Sequence, residues 1–137
     1  LGIVNLVPII VSVTLIVATM RYLDIPFNAL TATVLSIAIG LGVDYSAHMT
    51  HRFVDEYDGE NLYPALKQTV LGTGGALTGS MFTTAFGIGV LVIAVTPILG
   101  QFGTVTALAI VYSYLTSVIV LPSVIVVWAD LGGYALP

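Results

Sequence analysis

Asp44 is the carboxylate that stands apart in this chain. The other charges gather at three marks: Arg21 with Asp24; the run Arg52, Asp55, Glu56, Asp58, Glu60 and Lys67; and Asp130. Asp44 lies instead within an uncharged run, followed directly by Tyr45, with His48 four residues on and His51 beyond it. A carboxylate at the centre of a membrane helix costs about 2.5 to 3.5 kcal/mol on insertion scales and is usually retained for a purpose. Spacing leaves two placements open. The apolar run from Ile25 to Val43 is about long enough to span, which would put Asp44 at the interface, in water. The next charge, Arg52, is two helical turns on, however, and Tyr45, Ser46, Ala47 and Met49 all tolerate the membrane, which favours a buried Asp44. Burial disfavours the charged form, so such a carboxyl could bind and release a proton near neutral pH. His48 shares its helical face, so a minor relay is conceivable, although histidines at the interface are the more ordinary reading of His48 and His51. Tyr45 could donate to a carboxylate across a helix interface or anchor at the headgroups. Tyr112, Ser113, Tyr114, Thr116 and Ser117 form a further polar patch. They are weaker candidates, because helical Ser and Thr often bond local backbone carbonyls.

No enzyme signature accompanies these residues. There is no phosphate-cradling loop, no His/Cys/carboxylate cluster at metal spacing and no nucleophile with a base, so neither an enzyme nor a metal or cofactor site is expected. Gly72-Thr73-Gly74-Gly75 lacks the strand and the Lys-Ser/Thr pair that a nucleotide loop needs. Without Cys, disulfide and thiol chemistry are excluded. The net charge of -4 argues against nucleic acid, or an anionic lipid surface, as partner.

The elements that must carry these residues follow from composition. Hydrophobic residues make up 58% and charged residues 7%, far from the roughly 25% charged of a soluble domain. Three basic and seven acidic side chains cannot cover a soluble fold of 137 residues. The expected fold is all-α, an integral membrane bundle of four transmembrane helices, each needing about 20 apolar residues. The spans fall at about 1–20, 25–49, 68–95 and 98–128, with a connection at about 50–67. The uncharged stretch from Gln68 to Ala129 is too long for one helix, and Thr96-Pro97-Ile98-Leu99-Gly100 is its natural reversal. Backbone groups in a bilayer must be bonded within the segment, so continuous helices are expected despite the glycines. His51 to Tyr57 reads as a polar extension of the second helix, ended by Asp58-Gly59. Asn61 then offers an N-cap, with Pro64 in the first turn of a helix restarting near Leu62. Arg52 and Lys67 outvote Arg21, which puts the connection and both chain ends on the cytoplasmic side. The chain opens on Leu1 with neither a basic start nor a cleavage site, as expected of an excerpt rather than a signal peptide.

Membrane helices associate through close packing of small residues. In the second span Ala32, Ser36, Gly40 and Asp44 recur every fourth residue, with Ala38, Gly42 and Ser46 as a second stripe. In the third, Gly72, Ala76, Ser80 and Thr84 repeat the spacing, with Gly75 and Gly79 alongside. Gly40, Gly42, Gly72 and Ala76 are therefore the expected helix-packing positions, and the second and third helices are expected to pack tightly.

With these residues in place a resemblance emerges. Gly40-Leu41-Gly42-Val43-Asp44-Tyr45-Ser46-Ala47-His48 resembles the Gly-x-x-x-Asp motif, followed by Tyr, of the mycobacterial-large-membrane-protein (MMPL-like) and hydrophobe-exporter branches of the resistance-nodulation-division (RND) superfamily. Ile25-Pro26-Phe27-Asn28, His51-Arg52-Phe53, Gln101-Phe102-Gly103 and Leu121-Pro122 are similar to the same pattern, so nearly the whole chain is covered. The resemblance implies helices three to six of one half of such a transporter, the part shared with sterol-sensing domains. It implies the membrane portion of a proton-motive-force-driven exporter of lipids or other amphiphiles in the plasma membrane. Asp44 and Tyr45 would then form the proton-coupling site, and Gly40 would let a neighbour approach. Implied partners are membrane lipids and the remaining half of the transporter, or a second copy of the chain. Two other readings stand beside it: a sterol- or lipid-sensing module without transport, and a dimeric four-helix protein in which two copies of Asp44 face each other.

Overall fold

The computed structural model describes residues 2–131, and they fold into four helices with no strand among them. Helix α1 is Leu6–Tyr22, α2 is Ala29–Glu56, α3 is Leu62–Ile93 and α4 is Pro97–Asp130. The last three are long and apolar enough to cross a membrane, whereas α1 is a shorter apolar helix of 17 residues. At 1.5 Å per residue α1 is about 26 Å long, at the short end of what spans a bilayer.

The helix ends have local causes. After α1, Asp24 adopts a left-handed backbone (φ 51°) and pairs with Arg21 across 3.0 Å. Helix α2 begins at Ala29 rather than at residue 25 because Asn28 caps it. The Asn28 side chain accepts from the backbone N–H groups of Leu30 and Thr31, and the Thr31 hydroxyl oxygen accepts from the Asn28 N–H. Beyond Glu56 the chain turns through Gly59 at φ 93°. Pro64 lies in the first turn of α3, as expected, but Asn61 makes no side-chain cap. Its amide instead donates to Asp58, whose carboxylate also accepts from the backbone N–H groups of Glu60 and Asn61. These donors hold the Asp58 carboxyl down at about 2, the Asn61 amide being the largest contributor. The second reversal is shorter than expected, because Pro97 is already the first residue of α4, where a missing N–H costs nothing.

Continuity holds, but regularity does not. Helix α3 carries a π-helical turn at Val70–Gly74 and ends in a 3₁₀ turn at Val90–Ile93. Helix α4 carries a second π turn at Thr116–Val120, immediately before Pro122. A helical proline has no N–H and crowds the carbonyl four residues back, here Val118, so the wider turn falls where that conflict must be absorbed.

Helix α4 is the hub, packed against α1, α2 and α3. The expected pairing of the second and third spans is thereby corrected. Helix α2 meets α3 chiefly over Leu62–Gly74, next to the connection, after which α4 takes over as the neighbour of both. One apolar cluster, with Met49, Phe53, Leu66, Leu121 and Ile125, closes the connection end, and another, with Ile16, Val34, Val105 and Ala109, closes the opposite end. Of the two small stripes of α2, only Ala38, Gly42 and Ser46 is buried. A Cβ on Gly42 would lie 3.3 Å from the Ile9 side chain of α1. Nothing lies within 4 Å of a Cβ on Gly40 or Gly72, and Ala76 is exposed, so these three expected packing positions meet no helix among the described residues. The tightest approach is Gly103 of α4, where a Cβ would lie 2.7 Å from the Leu91 Cβ and 3.0 Å from backbone atoms of Leu91 and Val92.

Candidate functional site

Asp44 and Tyr45 are consecutive on α2 and so point about 100° apart. Tyr45 turns inward and is 2% exposed. Its ring meets that of Tyr114 edge-on, centroids 6.3 Å apart at 88°. Asp44 turns outward, with a side chain 62% exposed on the surface of the bundle and His48 Nε2 3.5 Å from its Oδ1. The burial anticipated for Asp44 is therefore not burial among these four helices. Depth is a separate matter. Measured along α2 from its start at Ala29, Asp44 lies about 22 Å on, less than the roughly 30 Å of a hydrocarbon core. His48 falls at about 29 Å and Arg52 at about 35 Å, where a span emerges.

Around Tyr45 the structure builds a polar layer between the two apolar clusters. The Thr78 hydroxyl donates to the Gly74 carbonyl at the end of the π turn, at 2.8 Å, and accepts from the Tyr114 hydroxyl 2.5 Å away. The Ser46 and Ser117 hydroxyls lie 3.1 Å apart, Ser113 donates to the Ala38 carbonyl at 3.2 Å, and Tyr112 meets Thr19 of α1 at 2.9 Å. Of the α4 patch, only Thr116 bonds locally, to Tyr112 and Ser113 carbonyls. The others tie α4 to α1, α2 and α3, a role that reading them as locally satisfied missed. The signal was available: residues 112, 113, 114 and 117 project on several sides of one helix at one depth, which in a bilayer requires neighbours on those sides.

Where α2 and α3 diverge, a cleft of about 470 Å³ opens, lined by His48, Arg52, Gly72, Thr73, Ala76 and Leu77. Arg52 pairs with Glu56 one turn on. His51 is exposed and joins neither Asp44 nor this cleft. Among the described residues no three His, Cys, Asp or Glu side chains come together as a metal site would require.

An all-helical bundle with apolar faces outward, a polar layer within and three helices long and apolar enough to cross a membrane is that of an integral membrane protein. The chain belongs to the MMPL family, whose model matches residues 3–135. It is 34% identical over 127 residues to the membrane protein MJ1562 of Methanocaldococcus jannaschii, an alignment covering 92% of this chain and 33% of the relative. The chain thus spans about a third of that relative's length. No solved structure matches it.

Proposed function

We propose that this chain is the four-helix part of a proton-motive-force-driven exporter of lipids or other hydrophobic and amphiphilic molecules, with Asp44 as the titrating residue. The observation that carries the reading is the outward-facing Asp44 side chain on a helix long and apolar enough to cross a membrane. A carboxylate there faces hydrocarbon unless another helix covers it, and exposure to lipid costs a few kcal/mol in the charged form. The bare surface beside it, at Gly40 on α2, suits a close neighbour. The remaining half of a longer protein, or a second copy of this chain, supplies that neighbour. Loss of the negative charge on protonation removes the cost of holding Asp44 there and lets the cover shift. Tyr45 connects that event to Tyr114 of α4, whose hydroxyl meets Thr78 of α3. His48 serves at most as a minor relay toward the cleft. The protein acts in the plasma membrane, with the α2–α3 connection on the cytoplasmic side.

The test is Asp44→Asn in the full-length protein, reconstituted with an imposed proton gradient. Amphiphile export should lose its dependence on the gradient, and Asp44→Glu should restore part of it. Undiminished proton-coupled export by Asp44→Asn refutes the assignment.

A further inference from the structure

Two adjoining hollows between α2 and α3 share Arg52 and Gly72 and so form one crevice. The outer part, about 560 Å³, is lined by Arg52, Pro64, Lys67 and Gln68, with Leu71 at its edge. The inner part, about 470 Å³, passes Gly72 and is lined by Thr73, Ala76 and Leu77, with His48 on the α2 side. The outer part holds two of the three cationic side chains of the chain. Lys67 has no acidic partner within 4 Å among the described residues, while Arg52 shares its charge with Glu56. Along α2, Arg52 lies about 35 Å from Ala29, just past the hydrocarbon boundary, so the cationic end sits at headgroup level. The inner end runs along α3 past Ala76, which is exposed, to Leu77. Gly72 stands at the neck, and no atom lies within 4 Å of the place its Cβ would take.

A cationic mouth at headgroup depth, a side-chain-free neck and an apolar floor reproduce the polarity profile of one phospholipid. We propose that this crevice binds an anionic glycerophospholipid, its phosphate between Arg52 and Lys67 and an acyl chain passing Gly72 toward Ala76 and Leu77. Basic pockets between membrane helices recognise lipid headgroups in this way. Four of the seven acidic side chains lie in the connection beside this mouth, and of these the Asp58 carboxylate is engaged by Asn61 and Glu60. Glu56 is the carboxylate at the mouth, and the phosphate competes with it for Arg52.

The site does not depend on export, and its test is direct binding. The full-length protein is examined by native mass spectrometry with phosphatidylglycerol and phosphatidylcholine as probes. Wild type should retain phosphatidylglycerol in preference. Arg52→Gln and Lys67→Gln should each weaken it about fivefold, and the pair about thirtyfold, while Lys67→Arg retains it. Gly72→Leu keeps every charge and should also expel the lipid, which covers the event that the double variant does not fold. Equal retention of the two lipids, or binding unchanged in the charge and Gly72 variants, overturns the proposal. So does complete displacement of phosphatidylglycerol by millimolar inorganic phosphate, which would make this a site for the free anion.

Discussion

Gly103→Ala tests the helix arrangement at its tightest point. The new Cβ would stand 2.7 Å from the Leu91 Cβ and 3.0 Å from the Leu91 carbonyl carbon and the Val92 nitrogen. Two of those three atoms are backbone, so no rotamer change relieves the contact, and the hairpin joining α3 to α4 must open. Overpacking of this kind costs about 1 to 3 kcal/mol. Replacing a helical glycine by alanine returns about 0.5 to 1 kcal/mol. The net expectation is a loss of about 1 to 2 kcal/mol. Gly89→Ala is the internal control, since it lies on the same interface but its Cβ would meet only the Ala107 Cβ, at an ordinary 3.9 Å. It should be neutral or gain about 0.5 kcal/mol. The two variants should therefore differ by about 2 kcal/mol, roughly thirtyfold in the unfolding equilibrium, measured in lipid bicelles by steric trapping or denaturant titration. Equal stability of Gly103→Ala and Gly89→Ala would refute the placement of α4 against the end of α3, and with it the divergence of α2 from α3 that opens the crevice.

Two further predictions follow from the polar layer and the connection. Tyr114→Phe removes the contact with Thr78 but leaves the Thr78 bond to the Gly74 carbonyl, so it should cost about 0.6 kcal/mol and at most about 1.7. A double-mutant cycle with Thr78→Val should return a coupling of that size, and strict additivity would show that the two hydroxyls do not interact. At the connection, the Asp58 carboxyl is held below its unperturbed 3.8, at about 2, by hydrogen bonds to its charged form. Its contribution to local order is therefore complete above about 3.8 and lost as the pH falls through about 2. Hydrogen exchange at the Glu60 and Asn61 amides should stay protected in neutral and mildly acidic solution and lose protection near the lower value. Asp58→Ala should remove that protection at every pH, and protection unchanged in the variant would contradict the assigned bonds.

Much of the fold was legible because the bilayer imposes rules that act on single segments. Hydrophobic length marks a span, and the scarcity of charge left few boundaries to choose between, so the helix count, the two reversals and the return of the chain near Leu62 were readable from composition and turn chemistry. The Gly-x-x-x-Asp segment was readable for a similar reason: one carboxylate in an uncharged run has no local explanation. The errors were of another kind. Repeated small residues signal that a face can be approached closely, but not by which helix. Gly40, Gly72 and Ala76 have the same spacing as Ala38, Gly42 and Ser46, yet only the second set is covered within this chain.

By itself, then, the sequence determined that this is a helical membrane protein and which side chains carry unusual cost in lipid, since each of these depends on transfer from water and on local hydrogen bonding. Only the tertiary structure decided that α4 is the hub, that its Tyr112, Ser113, Tyr114 and Ser117 bind its neighbours rather than its own backbone, and that Asp44 and Tyr45 part company, one outward and one into the polar layer. Those outcomes depend on which faces meet, which is set by contacts among residues dozens of positions apart, such as Gly103 with Leu91 and Val92 at one end of α4 and Leu121 with Phe53 at the other.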